Sequence, residues 1–583
     1  MVPFFLSQYM TKKHPKALPY LFFSEMWERF GYYLMIGIFT IYLKDANQGF
    51  EMSEAESASL YGTFIALVFF TPFIGGLLAD RLLGYRTPII LGGLMMGVGY
   101  CTMAIHAFST LYTGMILVIL GNGLFKPNIS TLLGNLYNNP QFQSHKDEGY
   151  NLFYMGINIG AFLCNIVSAF LINKYGYAMA FVGAGIGMFI GIIVFLVGSK
   201  HYVEGNKIKE PLPGEKPWWI DLLIVVIPAI LFAVIGYLIN GLPSEDNKNS
   251  FLVNDDVTDA FLFACIPVIF FFAYVLFTAP KSERRVVSAI LIVCLAVMPF
   301  WAIFKQNGTV LNTWAIHYTD REVPASMTNG LKEMKLADVI KYEKSKEPIQ
   351  VYDNQFRKIK EYDIKLRKNK DKKAIQYPSY FKNDQKHTNI KEGQEVVVFN
   401  SNIFQSVNPF WVIILTPLIV GFFRFLSYHK MEPSIPIKFV LGLFITGLSC
   451  LVMVMAADAS DNGAIKTSYW WFFAAYGVVT VGELCLSPIG LSMVSKLSPP
   501  RLTALLMGAW FISTSIGNKL SGVIASLWDT YDDKQSFFFL NFYLMMGATL
   551  ILILLLPWLI KVFREQQNKT NLPENNNELI DSE

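Results

Sequence analysis

The sequence predicts an all-α membrane protein of about fourteen spans. Three observations predict it. Of 583 residues, 53% are hydrophobic and only 16% charged, whereas soluble domains carry roughly a quarter charged residues; the mean hydropathy is +0.38. Apolar windows long enough to cross a bilayer, about 20 residues, recur along the chain. Many of them are interrupted by Gly or Pro, at Pro72/Gly75/Gly76, Gly121/Gly123/Pro127, Pro299/Gly308, Pro409/Pro417 and Pro488/Gly490. Such breaks free backbone groups that only protein or cavity water can satisfy, which points to a pore or transport path.

The windows fall near 17–44, 56–80, 85–106, 109–137, 148–173, 177–199, 218–241, 258–278, 284–316, 404–428, 434–457, 469–496, 502–527 and 537–562. An even number puts both termini on one side. Loops holding Arg81/Arg86, Lys200/Lys207/Lys209, Lys281/Arg284/Arg285, Arg424/Lys430 and Lys496/Arg501 alternate with poor ones around His106, Lys174, Lys248 and Asp458–Asp461. The positive-inside bias therefore predicts a multi-pass protein of the cytoplasmic (inner) membrane with both termini cytoplasmic. Lys12, Lys13 and Lys16 anchor the first span, and the short apolar start before them is no cleavable signal.

This order divides the chain into an N-terminal unit (1–200), a linker with two further spans (201–283), and a C-terminal unit (284–316 and 401–565). Between the last two pieces lies a charged extracytoplasmic insertion, 317–400, with eighteen Lys/Arg. Long loops cross largely regardless of charge. Solvated charge with little apolar content predicts a mobile or weakly structured cap. Residues 566–583 form a polar cytoplasmic tail.

Other function classes are excluded in turn. A net charge of +4 is too small to indicate nucleic acid. Cys101, Cys164, Cys265, Cys294, Cys450 and Cys485 all lie in apolar segments and read as small buried hydrophobes, without disulfide or metal spacing. No GxxxxGK[ST] supports a nucleotide-driven pump and no HExxH an intramembrane protease. The chain is expected not to be an enzyme, to need no cofactor beyond protons as coupling ion, and to have the lipid bilayer as its surroundings. A channel is separated from a carrier by saturable, pH-gradient-dependent flux.

Chemistry concentrates in the first span. Within LPYLFFSEMWERFGYYLMIGIFTIYL stand Glu25, Glu28 and Arg29, although one charge at the bilayer centre costs at least about 2.5–3.5 kcal/mol. Glu25, Glu28, Arg29, Tyr32 and Tyr33, at i, i+3, i+4, i+7 and i+8, form one helical stripe that must face an interior cavity. Burial and a guanidinium act in opposite senses on a carboxylate's hold on a proton, so this cluster can switch with proton occupancy. Further deep polar residues are Lys126 beside Pro127, the pairs Tyr154/Asn158 and Glu483/Ser487 at i, i+4, and Asn408; Trp301 and Trp510 are candidate pocket walls. Arg29 and Lys126 belong to the N-terminal half and Glu483 to the C-terminal half. A cavity between them is expected to be positive on one wall and negative on the other, which suits a zwitterion such as a peptide.

These segments resemble the proton-coupled oligopeptide transporter family of the major facilitator superfamily. SEMWERFGYY is similar to its ExxERFxYY motif through Glu25, Glu28, Arg29, Phe30, Tyr32 and Tyr33, and FKPNIS, FYMGINIG, FQSVNP and ELCLSPIGLS resemble further family motifs. GGLLADRLLGYR, Gly75 to Arg86, resembles the superfamily's loop between the second and third helices. The resemblance implies two six-helix bundles plus two additional spans, and proton-coupled import of di- and tripeptides by alternating access. It implies that Arg29, Tyr32, Lys126 and Asn158 serve the peptide carboxylate, Asn408 and Glu483 its ammonium, and Trp301 and Trp510 its side chains. Tyr33, Tyr154 and Ser487 complete the expected substrate site. Glu25 and Glu28 become proton-coupling candidates with Arg29 and Glu483. The alternatives are a carrier of the same fold for another small anionic or zwitterionic solute, and a channel.

Three positions depart from the family pattern. Lys305 stands where many members have an acid, Ile36 where its arginine partner would be, and Phe69 where a tyrosine is frequent. Both partners of an outer-gate ion pair are thus missing, and the expectation is that the gate closes through other contacts, Lys305 with a different carboxylate among them.

Overall fold

Lipid offers no hydrogen bonds, so an apolar run must satisfy its backbone internally, and all fourteen apolar stretches contain helix. The computed structural model describes residues 14–45, 48–52, 54–206, 218–240, 256–308, 310–333, 337–343, 378–399, 404, 406–499, 502–529 and 531–570. The N-terminal half comprises α1 (Leu18–Lys44), α2 (Glu54–Leu78), α3 (Arg86–Met103), α4 (Phe108–Leu136), α5 (Lys146–Tyr175) and α6 (Tyr177–Val197). A hairpin of α7 (Trp218–Asn240) and α8 (Asp256–Thr278) follows. The next stretch is broken into α9 (Lys281–Ala296), α10 (Met298–Phe304), a 3₁₀ turn (Lys305–Gly308) and α11 (Val310–His317). After the short α12 (Thr328–Glu333) come α13 (Val407–Tyr428), α14 (Ile435–Ala459), α15 (Tyr469–Leu497), α16 (Thr503–Ser526) and α17 (Lys534–Thr570). Among the described residues, nine helices are long and apolar enough to cross a membrane by length and composition.

Packing sorts these helices into two bundles. α1 packs on α5 and α6, α3 on α4 and α6, and α2 on α4; in the second bundle α14 packs on α15 and α17, α10 on α16, and α13 on α15. The bundles meet along two seams, α2 with α16 and α5 with α13 and α15, while α7 and α8 pack against each other and touch α2. Small residues allow the close approach. A Cβ on Gly75 would strike the Gly123 carbonyl, so α2 and α4 touch through backbone. Asn128 secures the same contact, its amide donating to Gly75 O at 3.1 Å and to Leu124 O at 2.7 Å beside the helix-distorting Pro127. Asn206 in the linker accepts from the amides of Tyr85 and Arg86 at 2.8 and 2.9 Å and so caps α3. Five of the six free cysteines are buried.

The described parts of the insertion depart from the expected loose cap. Strands β2 (Ala337–Lys341) and β3 (Glu395–Phe399) pair antiparallel with Val339 opposite Val397, and Glu322 bridges to Val398 on the other edge. Tyr380, Val396 and Val398 form a small core with Ile340, Phe381 and Ile390. The lobe is tied to the C-terminal half: β1 (Thr319–Asp320) pairs parallel with β4 (Thr467–Ser468), and the Asn383 amide donates to His317 O at 3.0 Å and Gly463 O at 3.2 Å. Lys386 pairs with Asp320 at 2.5 Å. The physical reason is long-range pairing: the two strands lie on either side of the charged stretch, 344–377, which lies outside the described residues.

One buried cation should make docking of this lobe depend on pH. The Lys466 side chain lies against the Tyr380 ring, 4.0 Å from Asp384 Oδ2. Burial pushes its ammonium down to about 7, against the pull of Asp384 and Asp320, whereas a free lysine titrates near ~10.4. Between these values the undocked lobe binds more protons, so docking strengthens as pH rises and is flat below about 7. Hydrogen-exchange protection of 395–399 should therefore grow from pH 7 to 9, by at most about tenfold per pH unit. Lys466→Met should flatten the profile; an unchanged profile rules this lysine out.

Candidate functional site

The charges of α1 turn inward. Glu25, Glu28 and Arg29 are 1%, 0% and 2% exposed, which excludes the lipid-facing arrangement. The Arg29 guanidinium grips Glu28 with two hydrogen bonds, from Nε and Nη2. Its Nε lies 3.6 Å from Glu25 Oε1, and the second Glu25 oxygen has no hydrogen-bond partner. Tyr32 presents its ring to the guanidinium at 4.7 Å, a cation–π contact, and Tyr33 meets Tyr32 edge-on at 5.5 Å. The helical spacing thus brings all five side chains into one cluster.

A sixth member was not singled out from the sequence. Arg29 Nη2 donates to Asn122 Oδ1 at 3.2 Å, and the Asn122 amide donates to Val68 O at 2.8 Å. Asn122 is fully buried on α4, one turn before Lys126. That i, i+4 spacing was the available signal; flanked by Gly121 and Gly123, Asn122 reads as part of a helix break. Lys126 itself lies over the rings of Phe69 at 4.9 Å and Phe511 at 5.1 Å. The departure at Phe69 thus replaces a hydroxyl by a cation–π face, and Phe511 carries the contact across to α16.

The second cluster joins the halves. Glu483 on α15 is 1% exposed; Tyr154 on α5 donates its hydroxyl to Oε1, and Asn408 on α13 donates to Oε2 at 2.7 Å and to Thr480 Oγ1 at 3.1 Å. Asn158 uses one donor of its amide on the Tyr154 backbone carbonyl, one turn back, at 3.0 Å. Ser487 is buried one turn beyond Glu483. Trp301 is held close by Gly517, where a Cβ would strike it, and packs with Phe300 and Phe304. Trp510 is buried against Gly490 and sits edge-on to Phe439 at 6.1 Å.

Two expectations need correction. The C-terminal wall is not purely negative: Lys305 lies within electrostatic reach of Glu483 and Arg29 and near the rings of Phe304 and Trp301, at 5.6 and 6.0 Å. Nor does Lys305 pair with a replacement carboxylate, since no ion pair within 4.0 Å joins it to one among the described residues. Its helix ends at Phe304, and Lys305 stands on the turn that follows. Ile36 packs against the apolar core.

A further ion cluster escaped the sequence reading because SHKDEGYN looks like a solvated helix start. Asp147 Oδ1 of α5 accepts from Lys496 Nζ at 2.7 Å and from the Ser492 hydroxyl, while Lys438 Nζ stands 3.8 Å from Oδ2. At the other end of α5, the Asn165 amide donates to Ser406 Oγ at 2.6 Å. The halves are therefore fastened at both ends and at Tyr154–Glu483 between them.

Two helical bundles with buried charges on both sides of their seam define a membrane transporter of the major facilitator type rather than an enzyme. The chain belongs to the POT family, whose profile matches residues 86–330 and 388–541. Dipeptide and tripeptide permease A of Proteus mirabilis (strain HI4320) is 28% identical over 530 residues, 90% of this chain and 88% of that protein. Its namesake from Escherichia coli (strain K12) is 29% identical over 526 residues, 88% and 85% of the two chains. Among solved structures, the peptide transporter POT in complex with sulfate matches with a TM-score of 0.61 at 28% identity, covering 94% of this chain and 96% of that one. A mutant of peptide transporter POT in complex with alafosfalin matches at 0.60, 28%, 94% and 96%.

Proposed function

We propose that this protein is a proton-coupled symporter that imports di- and tripeptides across the cytoplasmic membrane by alternating access, with both termini cytoplasmic. The observation that carries the reading is the pair of buried clusters on the two halves: a cationic one built on Arg29 and Lys126, and Glu483 facing it across the α5 seam. A peptide carboxylate meets the first and its ammonium the second through charge-assisted hydrogen bonds. The permease relatives support the substrate class.

Protons enter through the carboxylates that hold Arg29. Protonating Glu28 removes one side of the two-pronged pair and frees guanidinium donors for the peptide; protonating Glu25, one oxygen of which is unpartnered, disturbs fewer contacts. Glu483 takes the ammonium once Tyr154 and Asn408 release it. Opening toward the cytoplasm exposes the cluster, the proton leaves, and Arg29 returns to Glu28. Trp301 and Trp510 flank the substrate's side chains, and no other cofactor takes part.

Uptake of labelled dialanine into liposomes holding the full chain tests this. Uptake should saturate, rise with an inward proton gradient, and fall with tripeptides but not with free amino acids or nitrate. Dialanine uptake indifferent to the gradient refutes the coupling, and none at all refutes the substrate.

A further inference from the structure

Most charges around the seam already have partners. Arg29 is held by Glu28 and Glu25, and Glu483 by Tyr154 and Asn408. Two ammonium groups stand apart: among the described residues, neither Lys126 nor Lys305 has an ion-pair partner within 4.0 Å. They come from opposite halves, Lys126 from α4 and Lys305 from the turn after α10, and each faces aromatic rings, Phe69 and Phe511 for one, Phe304 and Trp301 for the other.

Lys305 has a structural reason to be where it is. Its position just past the last residue of α10 places a cation at a helix C-terminus, which is favourable. The helix end and the rings steady the ammonium but leave its three N–H donors without an acceptor of full charge. Glu25 and Glu28 act on Lys126, and Glu483 on Lys305, only from beyond ion-pair distance, so in a site screened from water each ammonium is left to favour an anion that a ligand brings into direct contact. A zwitterionic peptide with neutral side chains brings a single carboxylate, which one lysine suffices to match.

We infer that Lys305 biases this transporter toward peptides with an acidic side chain: one carboxylate goes to the Arg29/Lys126 cluster and the side-chain carboxylate to Lys305. The inference rests on the peptide reading above. It makes Lys305 a specificity-determining residue, with the Trp301 and Phe304 rings lining the stem of the side chain and the ammonium taking its end. A lysine side chain on the peptide meets like charge there and is disfavoured.

Competition against labelled dialanine at pH 7, with the full chain in liposomes, tests it. Ala-Glu should inhibit about tenfold more strongly than its near-isostere Ala-Gln, and Ala-Lys less strongly than either. Lys305→Gln should bring the Ala-Glu/Ala-Gln ratio to about one, and Lys305→Glu should invert the order in favour of Ala-Lys. A ratio near one in the unaltered protein overturns the inference while dialanine uptake leaves the peptide reading standing. Equal weakening of all three competitors by Lys305→Gln also overturns it, because Lys305 then acts on the transport cycle and not on the side chain. Absence of dialanine uptake fails both readings.

Discussion

Glu28→Gln should abolish uphill accumulation while leaving exchange of substrate across the membrane. Glu28 binds Arg29 through both oxygens at a site with no solvent exposure. Glutamine keeps the shape but offers neither the charge nor the proton site, so the guanidinium stays available to peptide whatever the pH. One proton per cycle at 100 mV makes about 2.3 kcal/mol available, enough for roughly fiftyfold accumulation when 1.4 kcal/mol is tenfold. In the variant the internal to external ratio should fall to about one under the same gradient, with counterflow of preloaded peptide retained. Accumulation that survives the substitution moves the coupling away from Glu28. The comparison with Glu25→Gln then separates the two carboxylates.

The second large effect lies at Asp147. Asp147 receives both Lys496 and Ser492 of the other bundle, with Lys438 close by, and Asp147→Ala takes the carboxylate from Lys496 while Lys438 keeps Glu432 at 2.6 Å. Removing one partner of a hydrogen-bonded charge pair costs about 2–5 kcal/mol when buried. Asp147 and Lys496 are 22% and 18% exposed in their side chains, so the lower end, roughly 2 kcal/mol, applies; that is about thirtyfold in the opening equilibrium at this end of the seam. Spin labels on α5 and α15 should show the long-distance population rise accordingly. The charge swap Asp147→Lys with Lys496→Asp should return it most of the way. An unshifted distribution shows that these residues do not hold the halves together.

What the sequence made legible follows from range. The α1 cluster was readable because five polar positions repeat at helical spacing inside an apolar run, and lipid forbids them to face outward. Glu483 was readable for the same reason. Asn122 was not, because an asparagine between two glycines carries no charge to betray it, and its partner Arg29 lies 93 positions away. Asp147 was missed because a charged helix start costs nothing in water; only Ser492 and Lys496 of α15, 345 and 349 positions on, make it part of a seam. The β2–β3 pairing was hidden likewise, since a five-residue strand without its distant partner is indistinguishable from solvated loop. Lys305 was visible as an anomaly of the family pattern, but that no carboxylate comes within 4.0 Å of it among the described residues needed coordinates.

The docked insertion has a practical consequence. Its contacts described above run to His317, Gly463 and the Thr467–Ser468 strand of the C-terminal half, so the lobe is expected to travel with that half as a handle outside the helical bundles. An antibody fragment raised against 378–399 would supply the bulky fiducial that particle alignment in electron microscopy demands of a transporter otherwise nearly hidden in its micelle. Paired with a tag on the opposite bundle, the same handle would let the rocking of one carrier be followed as a change in a single interprobe distance.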